Sequence, residues 1–133
     1  MPCDSNIGIG IGLDCCSITR WDALCTRRPQ ITDRLLGKYE RGLTPSSQAA
    51  RWAAKEALVK ATGISLHGRW NQCQVVNDQN GRPRFIFSEE IRHELSARGT
   101  NENNIAISIT HEETNAIAVV FTLISSSCQG EQP

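Results

Sequence analysis

The chain has 133 residues, 14 basic and 14 acidic side chains, and 39% hydrophobic residues. That length suits one domain with one core, and a net charge of zero provides no global field for nucleic acid. No run approaches the roughly 20 apolar residues of a membrane-spanning helix.

Compartment follows from the cysteines and the N-terminus. The six cysteines contain no C-x-x-C spacing and so no zinc pattern. Cys15 and Cys16 are adjacent at a strand end, Cys25 and Cys73 fall within helix-like and strand-like stretches, and Cys3 and Cys128 lie near the ends, which is unlike a secreted disulfide scaffold. The first apolar run is short, glycine-broken and without a basic lead, unlike a signal peptide. The reading is a cytoplasmic protein with reduced thiols.

The first element is a strand at about 6–14. Alternate residues of a strand face opposite ways, so Ile7, Ile9, Ile11 and Leu13 make one apolar face, expected to be buried. Gly8, Gly10, Gly12 and Asp14 share the other face, where bare backbone lets another body approach closely. Asp14 then serves either as a functional carboxylate or as the cap of a following helix. Helical pieces are expected across about 17–42, where Arg20, Arg27, Arg28, Arg34, Lys38 and Arg41 outnumber Asp22, Asp33 and Glu40.

Thr44-Pro45 reads as N-cap and first residue of the main helix, which continues to about Thr62. Positions 49–61 hold six alanines and no glycine or proline, a strongly helical composition. Trp52, Glu56 and Lys60 follow one another at i, i+4 and i+8 on one face. Glu56 and Lys60 form either a plain surface ion pair or part of a partly buried site beside Trp52. Asn80-Gly81 then turns a hairpin between strands near 73–78 and 83–88. A helix runs from Ser88, its N-cap, to Arg98, with Gly99 as stop. Ile105–His111 pairs with 116–124, a strand apolar enough to be central or interfacial. His67 and His93 have no ligand-like partners nearby in sequence and read as surface residues. The domain is taken as 1–124, with 125–133 a disordered tail.

Four segments in order carry a resemblance. Gly10-Ile11-Gly12-Leu13-Asp14, with Arg20 after it, resembles the N-terminal motif of the holo-[acyl-carrier-protein] synthase (4′-phosphopantetheinyl transferase) family. Arg51-Trp52-Ala53-Ala54-Lys55-Glu56-Ala57-Leu58-Val59-Lys60-Ala61 is similar to its central motif. Val75-Val76-Asn77-Asp78-Gln79-Asn80-Gly81-Arg82-Pro83 resembles its hairpin, and Ile107-Ser108-Ile109-Thr110-His111-Glu112 its C-terminal strand and His turn. Ser47 stands where the family usually has Glu, the spacer Gln48-Ala49-Ala50 before Arg51 is short, and Ser65 replaces a common glycine.

The resemblance implies an α+β fold, a small antiparallel sheet packed with a long helix, assembled as a homotrimer with the site between neighbouring subunits. It implies transfer of the 4′-phosphopantetheine arm of coenzyme A to a serine of an acyl carrier protein, with release of 3′,5′-ADP. Asp14 and Glu56 would hold Mg²⁺, for which Mn²⁺ is a suitable substitute. Glu56 and Lys60 would be catalytic; Arg51, Lys60, Gly63 and His111 would bind coenzyme A; Arg20 would meet the carrier. The expected carrier is one of fatty-acid, polyketide or peptide synthesis; neither nucleic acid nor membrane is an expected partner. The alternative implied by the short spacer and Ser47 is a catalytically weak homologue that binds coenzyme A or a carrier protein without turnover.

Overall fold

A computed structural model describes residues 6–126. Most of the expected tail (127–133), with Cys128, and Cys3 at the other end lie outside the described residues.

β1 (Asn6–Ser17) leads into α1 (Ile18–Arg27), α2 (Ile31–Leu35) and α3 (Pro45–Thr62). A short 3₁₀ turn (Trp70–Gln72) precedes the hairpin of β2 (Cys73–Asn77) and β3 (Pro83–Phe87). α4 (Glu89–Ala97), a second 3₁₀ turn (Glu102–Asn104), β4 (Ile105–His111) and β5 (Asn115–Ser126) complete the chain. β1, β5 and β4 form an antiparallel sheet in that order, and β2 and β3 form a separate pair. β5 is the central strand, as its apolar character predicts, and it reaches Ser126, which pairs with Asn6.

The helix α3 lies across this sheet because both surfaces are small. A Cβ added at Gly12 would stand 1.8 Å from the Ala57 carbonyl oxygen, and one at Gly10 would stand 2.0 Å from that of Ala61. Ala53, Ala54, Ala57 and Ala61 of the helix are buried, as are Ala116, Ala118 and Val120 of β5. The glycine face of β1 therefore receives α3, as its bare backbone suggested. The expectation that Ile7, Ile9, Ile11 and Leu13 are buried is corrected: these residues point away from α3 and are 59–69% exposed. Their neighbours Ile117, Val119, Phe121 and Leu123 on β5 extend the same outward apolar face. Alternation identified the two faces, but bulk decided which one a helix of alanines could reach.

The ends of α3 follow from local chemistry. The Thr44 side chain accepts the Ser47 amide N–H at 3.3 Å, Pro45 opens the helix, and Gly63 closes it at φ 77° with its N–H on the Val59 carbonyl. The β2–β3 loop is organised by Asp78, whose Oδ1 accepts the Asn80 and Arg82 amides, while Gly81 takes φ 80°. Ser88 caps α4.

Helix does not continue through 36–42 as expected, and the reason lies inside. Glu40 is fully buried rather than part of the surface charge cluster, and Lys55 meets it with Nζ 2.6 Å from Oε1. Lys55 also donates to the Leu35 and Trp70 carbonyls, while the Glu40 carboxylate accepts the Gly37 and Val75 amides. The segment 36–42 bends to deliver Glu40 to this network. Beside it, Trp52 lies between Trp21 and Trp70, with ring centroids 6.0 and 4.6 Å away. Gln48 ties the helix start down, accepting from Trp21 Nε1 and donating to the Arg41 carbonyl.

Candidate active site

Because Gly12 is pressed against Ala57, the next residue on that face, Asp14, emerges beside Glu56 and Lys60. The capping alternative for Asp14 is removed here. Ser17, not Asp14, caps α1 by accepting the Arg20 N–H, and Lys60 reaches across to the strand rather than along its own helix. Its Nζ donates to Asp14 Oδ1 at 2.9 Å and to the Leu13 carbonyl at 2.9 Å. Burial first, then a hydrogen bond with the Asp14 carboxyl and repulsion from its charge, push Glu56 up to about 7, with Lys60 opposing. Two carboxyl groups facing each other with too little positive charge between them are a ready seat for a cation. Burial next to Glu56 and Asp14 likewise pushes the Cys16 thiol up to about 11, which keeps it a poor nucleophile. The described cysteines, Cys15, Cys16, Cys25 and Cys73, are free.

A second group of predicted residues assembles elsewhere. Arg51 and His111 line a cleft of about 340 Å³ together with Leu43, Ser47, Ala50, Asn77, Gly81, Pro83 and Ile109. Arg51 donates to the Ser47 carbonyl at 3.4 Å, yet its Nε is buried without a partner. Burial also lowers the pKa of this guanidinium, with Glu40 opposing. A buried N–H donor with nothing to meet costs about 1–3 kcal/mol. Asn77 was not singled out by sequence, and Ser47 only as a departure. Ser47 lies one helical turn before Arg51 and Asn77 ends a hairpin strand, so spacing could have placed both.

The two groups occupy opposite flanks of α3. Arg51 and Glu56, five residues apart, are about 140° apart around the helix axis. In the sheet, Asp14 lies on β1 opposite Ala118, and Ala118 lies opposite Ile109 on β4, two residues before His111. Two strand spacings across and two residues along separate the backbones of Asp14 and His111 by roughly 12 Å, with α3 between them.

The remaining candidates fall outside both groups. Gly63 caps α3 beside Arg98 and is absent from the cleft lining. Arg20 is exposed on α1, as are Arg27, Arg28, Arg34 and Lys38 nearby. With Glu40 inside and Asp33 paired to Arg41 at 3.5 Å, this surface is more basic than the sequence count suggests. His67 and His93 are exposed. No helix among the described residues is long and apolar enough to cross a membrane.

Known proteins resemble this chain in sequence and in fold. A profile of the 4′-phosphopantetheinyl transferase superfamily matches residues 10–121. A holo-[acyl-carrier-protein] synthase of Leifsonia xyli subsp. xyli is 38% identical over 111 residues, 84% of this chain and 92% of that one. One of Cutibacterium acnes is 40% identical over 114 residues, 84% of this chain and 95% of that one. The crystal structure of the Helicobacter pylori holo-[acyl-carrier-protein] synthase in complex with coenzyme A superimposes with a TM-score of 0.71 at 27% identity, over 87% of this chain and 99% of that one.

Proposed function

Because the chain belongs to the 4′-phosphopantetheinyl transferase superfamily, as an enzyme of its holo-[acyl-carrier-protein] synthase branch, we propose that it transfers the phosphopantetheine arm of coenzyme A to a carrier-protein serine. The observation that carries the reading is the meeting of Asp14, Glu56 and Lys60, from two elements distant in sequence, at one point of the surface.

In this reading the serine oxygen attacks the β-phosphorus of coenzyme A. A new O–P bond forms there, and the bond from that phosphorus to the bridging pyrophosphate oxygen breaks. The leaving group is 3′,5′-ADP. The serine proton passes to the Glu56 carboxylate or to a water beside it. Lys60 presents its ammonium to the pyrophosphate oxygens. The Arg51 guanidinium and His111 hold the nucleotide end in the cleft. Gly63 supports this by ending α3 just past Lys60.

The carboxyl pair fits a divalent cation. Among the described residues no group of three or more His, Cys, Asp or Glu could hold a metal, and Mg²⁺ commonly takes one or two carboxylates and completes its shell with phosphate oxygens and water. Asp14 and Glu56 would hold it, Mn²⁺ being an acceptable substitute. Bound there, it would neutralise charge on the phosphoryl oxygens.

Two features support assembly into a trimer. The outward face of Ile7, Ile9, Ile11 and Leu13, continued by β5, is an exposed apolar patch of the kind that covers itself with another chain. The carboxyl pair and the Arg51–His111 cleft also lie on opposite flanks of α3, so the cleft of one subunit can complete the carboxyl pair of the next around a closed ring. The exposed basic residues from Arg20 to Lys38 suit an acidic carrier, whether of fatty-acid, polyketide or peptide synthesis.

The test is transfer by Asp14→Ala and Glu56→Ala, each checked for a native circular dichroism spectrum. Both are expected to be inactive and folded. Transfer retained by either variant would refute the assignment of that carboxylate.

A further inference from the structure

The lysine at the carboxyl pair is placed in a way that the proposed reaction does not require. Lys60 could have paired with Glu56, one turn earlier on the same helix and in the favourable order. It crosses to β1 instead, where Asp14 Oδ1 and the Leu13 carbonyl both accept from its Nζ. The Asp14 side chain is 13% exposed and that of Lys60 56%. The carboxylate is thus the fixed, sheltered partner, and the ammonium reaches it from the solvent side on a flexible stem. The place beside Asp14 that a divalent cation would take is already served by a monovalent one. Two positive centres a few ångströms apart repel each other, so they cannot both use Asp14 at full strength.

We propose that Lys60 is a placeholder for the metal. In the unloaded protein it neutralises Asp14 and limits the repulsion between the two carboxyl groups. Entry of a divalent cation displaces it from Asp14, and the freed ammonium turns to an anionic oxygen of the substrate. This inference rests on the reading of Asp14 and Glu56 as cation ligands and goes beyond it in one respect: the lysine that assists transfer also competes with the cation. Metal alone is then held weakly, and a substrate anion that draws Lys60 away strengthens it, a reciprocal coupling between the two ligands.

The experiment is a calorimetric titration of Mn²⁺ into the full chain without coenzyme A. It compares the wild type with Lys60→Gln, which removes the charge, and Lys60→Arg, which keeps it; Asp14→Asn, alone and combined with Lys60→Gln, locates the site. Lys60→Gln is expected to bind Mn²⁺ about three- to tenfold tighter than wild type, the scale of one partly screened charge. Lys60→Arg should stay within about twofold of wild type by the same argument, and Asp14→Asn should abolish binding in either background. Equal or weaker binding by Lys60→Gln, with the dependence on Asp14 intact, overturns the placeholder and leaves the metal site standing. So does Lys60→Arg binding as tightly as Lys60→Gln. If no variant binds Mn²⁺ without coenzyme A, removing the Lys60 charge has not strengthened the site and the placeholder is overturned; if binding ignores Asp14→Asn, the metal reading itself fails and the placeholder with it.

Discussion

The Lys55–Glu40 pair offers the sharpest test of how α3 is held. Both side chains are fully buried. The ammonium directs its three N–H groups at Glu40, the Leu35 carbonyl and the Trp70 carbonyl. Lys55→Met keeps an unbranched apolar stem, one atom shorter, and removes all of this. It leaves a buried carboxylate held only by the Gly37 and Val75 amides, and the Leu35 carbonyl without its donor, while the Trp70 carbonyl keeps the Cys73 N–H. Breaking one partner of a buried pair costs about 3–5 kcal/mol, and the stranded Leu35 carbonyl adds about 1 kcal/mol, so the upper part of that range is expected. That is a large share of a total stability of about 5–15 kcal/mol. Adding Glu40→Gln to Lys55→Met removes the uncompensated charge while leaving an amide oxygen for one of the two N–H donors. The double variant should regain about 2 kcal/mol relative to Lys55→Met. Urea unfolding followed by tryptophan fluorescence would measure each step, since Trp52 and Trp70 pack together next to the pair. A cost below about 1 kcal/mol for Lys55→Met, or costs of the two single changes that add to within about 0.5 kcal/mol, would refute the reasoning.

Other outcomes follow from the geometry. Gly12→Ala drives a Cβ into the Ala57 carbonyl and should cost about 3 kcal/mol or more, whereas Gly8→Ala, whose nearest contact would be at 3.9 Å, should change stability by under about 0.5 kcal/mol; equal midpoints in thermal melts would contradict this. The folded-state pKa of Glu56 is raised from 4.5 to about 7. Between those values the folded chain keeps a proton that the unfolded chain gives up. Its contribution is therefore full below about pH 4.5 and lost as pH rises to about 7. After discounting for screening of this half-exposed group, about 1 kcal/mol is at stake; melts in a chelator should show the slope in wild type and lack it in Glu56→Gln. Arg51→Ala should weaken coenzyme A binding by calorimetry about tenfold or more, and unchanged affinity would remove Arg51 from the cleft's function. Glu56→Ala and His111→Ala, each inactive alone, should recover about a quarter of the wild-type rate when co-assembled at equal amounts, because a ring site takes one flank from each neighbour. No recovery would place the whole site within one subunit.

Much of this molecule was legible before its structure. Caps at Thr44 and Ser88, the helical composition of 49–61 and the hairpin near Gly81 each depend on local chemistry, and each stands where expected. What could not be read was any choice made by tertiary packing. The Ile7–Leu13 alternation has two faces, and only the size match between glycine and alanine shows which one α3 covers. Glu40 and Lys55 look like ordinary surface charges because their partners come mostly from other elements and from backbone. The same holds for Lys60, whose sequence neighbour Glu56 is a plausible partner and whose actual one is Asp14. Motifs named the candidate residues, but not that Asp14, Glu56 and Lys60 lie on one flank of α3 and Arg51 and His111 on the other.

The central claim is a reaction, and it has a direct measurement. An apo acyl carrier protein is incubated with this protein, coenzyme A and Mg²⁺, and its intact mass is recorded. The account predicts a gain of one phosphopantetheine arm on the carrier serine, abolished by a chelator and restored by Mg²⁺. An unchanged mass across fatty-acid, polyketide and peptide carriers, with coenzyme A still bound, would contradict it and leave a binding protein in its place.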